Sequence, residues 1–174
     1  EVNVFGLGRL TQLVPPHMRA QRSGTIINIS SMGGRLTTPL GGWYHATKYA
    51  VEALSDALRM ETAPFGIDVV VIEPGGIRTE WSGIAADHLE ETAEGSAYAS
   101  QIKAVANSMR SESTNKRQSP PSVIADTVEK IVTARKSRTR YVVGFAAKPL
   151  VTLRRLLPDR AFDRLISAAL GVRR

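Results

Sequence analysis

Apolar residues change their period along this chain, and each change predicts an element. Val4, Leu7, Leu10, Val14 and Met18 recur at helical spacing near the start, and Pro15-Pro16 predicts a bend in the last turns of that helix. From Thr25 to Ile29 the apolar character becomes nearly continuous and β-branched, as in a strand buried on both faces of a parallel sheet. Asp68 to Ile72 repeats that signal, and Tyr141 to Gly144 gives a third strand. Between the first two lies a long helical pattern from Trp43 to Ala63, stopped by Pro64-Phe65-Gly66. Its expected core stripe is Ala46, Ala50, Ala53, Leu54, Ala57 and Leu58, with Val51 and Ser55 on a second, exposed face. Ser119-Pro120-Pro121 predicts a helix start with Ser119 as cap and Pro120 first, followed by a stripe of Ile124, Val128, Ile131 and Val132.

Strands alternating with helices predict an α/β fold. Residues 80–118 are polar, small and poorly periodic, which suits either a mobile lid over a pocket or a surface excursion with a short helix near Tyr98 to Met109. The C-terminal stretch carries an amphipathic stripe of Phe162, Leu165, Ile166, Ala169 and Leu170, with Arg154, Arg155, Arg160 and Arg164 beside it. This reads as packed helices closing one side of the site. Attachment to an anionic membrane surface is the weaker alternative.

A chain of 174 residues supports one domain with a real core, and 43% hydrophobic with 22% charged residues is an ordinary globular composition. Cysteine is absent, which excludes disulfides, thiol nucleophiles and thiolate metal sites. His17, His45 and His88 lack metal-ligand spacing. No apolar run approaches the ~20 residues of a membrane span, and no signal peptide is visible, so a cytoplasmic location is expected. The net charge of +7 comes from residues 135–174, which carry a net of +9 against −2 for residues 1–134. With few aromatics and no recognition motif, nucleic acid is not an expected partner.

The chemistry concentrates between Ser31 and Lys48, in S-M-G-G-R-L-T-T-P-L-G-G-W-Y-H-A-T-K. Tyr44 and Lys48, four apart at a helix start, share one face. A tyrosine with its unperturbed pKa of ~10 is a poor acid or base near neutrality, but an adjacent ammonium favours the phenolate. The pair therefore suits proton transfer at an alcohol or ketone oxygen. Ser31 ends the first strand, where sites form in open parallel sheets, and its hydroxyl could donate to the same oxygen. Ser30 is the runner-up.

T-I-I-N-I-S-S-M-G-G, then Y-H-A-T-K, then I-E-P-G-G-I-R-T together resemble the short-chain dehydrogenase/reductase family, in its serine strand, its Tyr-x-x-x-Lys helix and its Pro-Gly-x-x-x-Thr turn. The wording around Tyr44 and A-P-F-G-I-D-V-V-V-I-E-P-G-G-I-R-T-E are most similar to the hydroxysteroid and retinol dehydrogenase branch. The resemblance implies a Rossmann-like doubly wound parallel sheet. It also implies an NAD(P)-dependent oxidoreductase interconverting an alcohol and a ketone or aldehyde, on a lipophilic small molecule. Tyr44 would move the proton, Lys48 would hold the nicotinamide ribose hydroxyls, and Ser31 would orient the substrate oxygen. V-N-V-F-G matches the segment with the family's catalytic asparagine, so Asn3 would support the proton relay. Pro74, Gly75, Ile77 and Thr79 would hold the nicotinamide, with Trp81 lining the substrate pocket. A homo-oligomer paired through the long helix is expected.

The family's opening strand, T-G-x-x-x-G-x-G turn and N-N-A-G turn have no counterpart here. Residues 1–174 are therefore expected to be the C-terminal portion of a single NAD(P)-binding domain, with 80–118 as substrate loop and 145–174 as C-terminal helical segment. NAD and NADP cannot be distinguished without that missing part. Alone, such a piece is expected to expose an apolar strand edge and to aggregate. Two other readings stay open: a truncated, non-catalytic interaction or dimerisation module, and a sugar-nucleotide epimerase or dehydratase.

Overall fold

The N-terminal apolar period begins as a π-turn over Val2–Gly6 and continues in two short helices, α1 (Leu7–Leu13) and α2 (Pro15–Gln21). The break falls at Val14, because Pro15 starts a helix without an N–H to lose but cannot continue one. β1 (Gly24–Ile29) follows, then a short 3-10 turn over Met32–Gly34 and the long helix α3 (Gly42–Thr62). β2 (Ile67–Pro74) leads to α4 (Trp81–Glu91), α5 (Ala99–Arg110) and α6 (Glu112–Arg117). Then come α7 (Ser122–Thr133), β3 (Arg140–Val143), α8 (Ala147–Leu156) and α9 (Asp159–Ala169). This is a computed structural model, and it describes residues 1–172; the last two residues of the 145–174 segment lie outside that range.

The three strands form one parallel sheet in the order β1-β2-β3, with Asn28 opposite Val71 and Ile72 opposite Tyr141. Alternation along each strand sorts side chains to two faces. On one, Val70 and Ile72 pack with Ile131, and Ile27, Ile124, Val128, Tyr141 and Val143 close around them, so α7 covers that face. α3 covers the other. Among the described residues β1 is hydrogen-bonded to a strand on one side only.

Three expectations are corrected. The face of α3 turned toward the sheet is not the alanine–leucine stripe. Val51 and Ser55 are each 1% exposed, whereas Leu54 is 41% exposed and Ala46 and Ala53 are also on the outside. The reason is polar pairing: Asn28 on β1 donates to Ser55 Oγ at 2.9 Å, and Glu52 meets Arg140 of β3 at 3.1 Å. Those partners fix the rotation of the helix against its hydrophobicity. α7 begins at Ser122, not at Pro120, because Ser119 is held elsewhere: its N–H donates to Gly76 O at 3.0 Å and its carbonyl accepts from Arg78 N–H at 2.9 Å. Finally, the stretch 80–118 holds three helices. α4 and α5 pair through buried Ala86, Ile102, Val105 and Ala106, small and aliphatic residues whose spacing is too sparse to stand out in a polar sequence.

Three of the five residues of the α9 stripe are packed inward, while Leu165 and Ala169 are exposed. Phe162 and Ile166 are buried on Leu36, which follows the serine strand, and Leu150, Leu153, Leu157 and Leu170 pack around them. Arg154 crosses over the Phe162 ring and pairs with Asp159 at 2.7 Å. The packed-helix reading of this segment accounts for Phe162, Ile166 and Leu170 of the stripe. No helix among the described residues is long and apolar enough to cross a membrane.

Candidate active site

The carboxyl end of β1 gathers the residues named from the sequence. Ser30 still belongs to the sheet: its N–H donates to Ile72 O at 2.8 Å, and its buried hydroxyl has no partner among the described residues. Ser31 turns out of the sheet and is half-buried. Its Oγ accepts from Gly33 N–H at 3.0 Å and makes only a long 3.5 Å contact to Pro74 O. Of the two serines, Ser31 is the accessible one, and its hydroxyl is engaged as a donor only by the long contact to Pro74 O.

Tyr44 and Lys48 lie in the first two turns of α3. The Lys48 ammonium stands 6.0 Å from the centroid of the Tyr44 ring and donates to Ile29 O at 3.1 Å. That contact ties α3 to the last residue of β1. Burial pushes the Lys48 pKa below its ordinary value, because the charged form loses hydration. A lysine has three N–H donors, and among the described residues only the Ile29 carbonyl accepts one. The other two fit a pair of sugar hydroxyls, so the donor set present is compatible with a nicotinamide ribose.

Asn3 reaches the same region from the N-terminal π-turn. Its side chain donates to Thr47 Oγ1 at 3.2 Å, and Thr47 in turn donates to Tyr44 O at 2.8 Å. Asn3, Lys48, Ile27 and Ile29 line a groove of about 630 Å³ between the N-terminal helices and β1.

The Pro74-Gly75-Gly76-Ile77 turn leaves β2 beside Ser31. Gly75 N–H donates to Val143 O at 2.8 Å, and Gly76 N–H to Phe145 O at 2.9 Å. Any Cβ on Gly75 would strike the Phe145 carbonyl, so glycine there serves the close approach of two main chains within the protein. Thr79 Oγ1 accepts from Trp81 N–H at 3.3 Å at the start of α4. The Trp81 ring lies 5.4 Å from that of Tyr44 and is half exposed.

Sequence reasoning missed a buried ionic cluster behind this site. Glu73, 1% exposed at the end of β2, meets Arg35 Nη1 at 3.2 Å and Arg140 Nε at 3.1 Å. Arg140 also pairs with Glu52 at 3.1 Å and with Asp56 at 2.7 Å. Burial, then the neighbouring Glu52 carboxylate, push the Glu73 pKa up against the pull of Arg35 and Arg140. The hydrogen bond from Arg140 holds Asp56 low. The available signal was one charged residue closing the apolar run V-V-V-I-E-P, since a carboxylate is almost never fully buried unless paired. Its partners, 38 and more positions away in sequence, carried none.

A parallel sheet covered by helices on both faces, with its polar groups gathered at the carboxyl end of a strand, defines a Rossmann-like α/β protein. The family model described as short chain dehydrogenase matches residues 1–90, and the chain belongs to that family. Relatives include oxidoreductase BOA17 of Botryotinia fuckeliana, 37% identical over 83% of this chain and 51% of its own length. The NADPH-dependent 3-dehydrocapnine reductase of Ornithobacterium rhinotracheale is 36% identical over 95% of this chain and 59% of its own length. A crystal structure of a short-chain dehydrogenase from Streptomyces avermitilis superposes with a TM-score of 0.68 at 31% identity, covering 87% of this chain and 53% of that one. The chain thus spans little more than half the length of these relatives.

Proposed function

We propose that these residues form the reacting end of an NAD- or NADP-dependent oxidoreductase that interconverts an alcohol and a ketone or aldehyde. The bound nicotinamide supplies or accepts the hydride. Ser31 keeps one lone pair on Gly33 N–H and turns its proton to the substrate oxygen. Tyr44 passes a proton to that oxygen in reduction and takes it in oxidation. Lys48, its ammonium beside the Tyr44 ring, offers its remaining donors to the nicotinamide ribose. Asn3, in the same groove as Lys48, serves the proton path to solvent. The Pro74 to Thr79 turn lies where the carboxamide would be held.

The observation that carries this reading is the meeting of Ser31, Tyr44 and Lys48 at one strand end, tied by the Lys48 bond to Ile29 O. An oxidoreductase-named set of relatives supports the reaction class, and the NADPH-dependent reductase among them supports the cofactor class. Exposed Trp81 beside Tyr44, and Ile84 one turn further along α4, favour a lipophilic substrate over a sugar nucleotide. The test is an assay of the full-length protein with NADH and NADPH against apolar ketones, aldehydes and nucleotide sugars, followed by nicotinamide absorbance. Reduction of apolar carbonyls is expected. Turnover of nucleotide sugars alone would contradict the proposal.

A further inference from the structure

His45 directly follows Tyr44, yet it faces inward and is 6% exposed. Both of its ring nitrogens are used. Nδ1 lies 3.0 Å from Gly33 O, and Nε2 lies 3.0 Å from Thr38 N and 3.0 Å from Thr38 Oγ1. A carbonyl can only accept and a main-chain N–H can only donate, so this network assigns the proton to Nδ1 and the lone pair to Nε2. The loop from Ser31 to Tyr44 is wrapped around the ring. A Cβ on Gly33 would come within 2.9 Å of Nδ1, and one on Gly41 within 2.8 Å of Nε2. These two glycines leave the space the imidazole fills.

Gly33 is the link to the reacting groups. Its carbonyl receives the bond from His45, and its N–H donates to Ser31 Oγ at 3.0 Å. The Tyr44 ring is packed edge-on to His45 with centroids 5.5 Å apart. One buried side chain therefore braces the serine and the tyrosine from behind. We infer that His45 is a positioning residue, which sets Ser31 relative to Tyr44 by holding Gly33 and Thr38 in place. It touches neither substrate nor cofactor. The inference rests on the Ser31 and Tyr44 roles proposed above.

The experiment compares variants of the full-length protein for kcat, KM, cofactor dissociation constant and thermal midpoint. His45→Phe keeps a somewhat larger aromatic ring and removes all three hydrogen bonds. It should lower kcat by about 10- to 100-fold, the scale of a misplaced reacting group, with cofactor affinity nearly unchanged. His45→Asn can still donate to Gly33 O, whereas His45→Gln can reach only Thr38. Asn should recover more turnover than Gln, because the Gly33 arm leads to Ser31.

Gly41→Ala tests the brace without touching the histidine. Gly41 has φ −99° and ψ 14°, which alanine can adopt, so its added methyl acts by crowding Nε2. It should lower kcat, while Gly42→Ala, whose methyl meets nothing, should not. If His45→Phe does not fold, the Gly41 and Gly42 pair still decides the matter. Equal kcat for Gly41→Ala and Gly42→Ala, with Tyr44→Phe inactive, would overturn the role of His45. Retained turnover in Tyr44→Phe would instead overturn the proposed function beneath it.

Discussion

Burial disfavours the charged form of Lys48, so this residue costs stability where it stands. Its folded pKa lies below the ordinary 10.5, and between those two values the unfolded chain binds more protons than the folded one. Stability contributed by this group therefore rises with pH through that window. Lys48→Met should remove the rise and leave the thermal midpoint near neutrality equal or higher, while turnover is lost. Melting curves of the full-length protein near neutrality and just below the ordinary lysine value check the sign. Ser31, Tyr44 and Lys48 were legible because their chemistry sits in short-range spacing along one strand end and one helix. His45 was not legible as a brace. Two of its three partners are a main-chain carbonyl and N–H, which leave no mark in a sequence, and the third, the Thr38 hydroxyl, is one of many in the loop.

At the scale of elements, the strands were readable from apolar runs and came within two residues of the observed ends. The orientation of α3 was not. A stripe of alanines and leucines is the normal core face of a helix, but here Asn28 and Arg140 hold Ser55, Glu52 and Asp56 against the sheet. Arg140 is the hub of that arrangement. Burial works against its charge, and the Asp56 and Glu52 carboxylates more than offset this, so its pKa is raised. Arg140→Met leaves three carboxylates around an apolar side chain. It should destabilise the protein by about 3–5 kcal/mol, the cost of breaking a buried ion pair by removing one partner. Glu73→Gln keeps a hydrogen-bonding group in a site where burial already favours the neutral carboxyl, so its loss should be smaller. Urea unfolding of both variants gives the comparison, and equal losses would show that Arg140 is not the hub.

For the whole molecule, the outward face of α3 matters most. Ala46, Ala53 and Leu54 are exposed on a helix whose opposite side is packed. Exposed Tyr49 and Met60 share this face with the alanines and Leu54, so it offers apolar surface to a second copy, and a two-fold contact would place this face against itself. We propose that any self-association runs through this face, because Val51 and Ser55 are buried against the sheet. Leu54→Arg should shift the full-length protein from dimer or tetramer toward monomer in sedimentation velocity, and unchanged sedimentation would remove the face from consideration. Substrate identity and cofactor choice were not legible at this scale, since no residue named here distinguishes NAD from NADP. The central claim is that Tyr44 moves the proton when hydride is transferred, and Tyr44→Phe in the full-length protein tests it most directly, because only the hydroxyl is removed. Stopped-flow measurement of nicotinamide oxidation by an apolar ketone should show a rate at least about 100-fold below wild type, the low end of general acid–base catalysis, at an unchanged thermal midpoint. A rate close to wild type in a folded Tyr44→Phe protein would contradict the account.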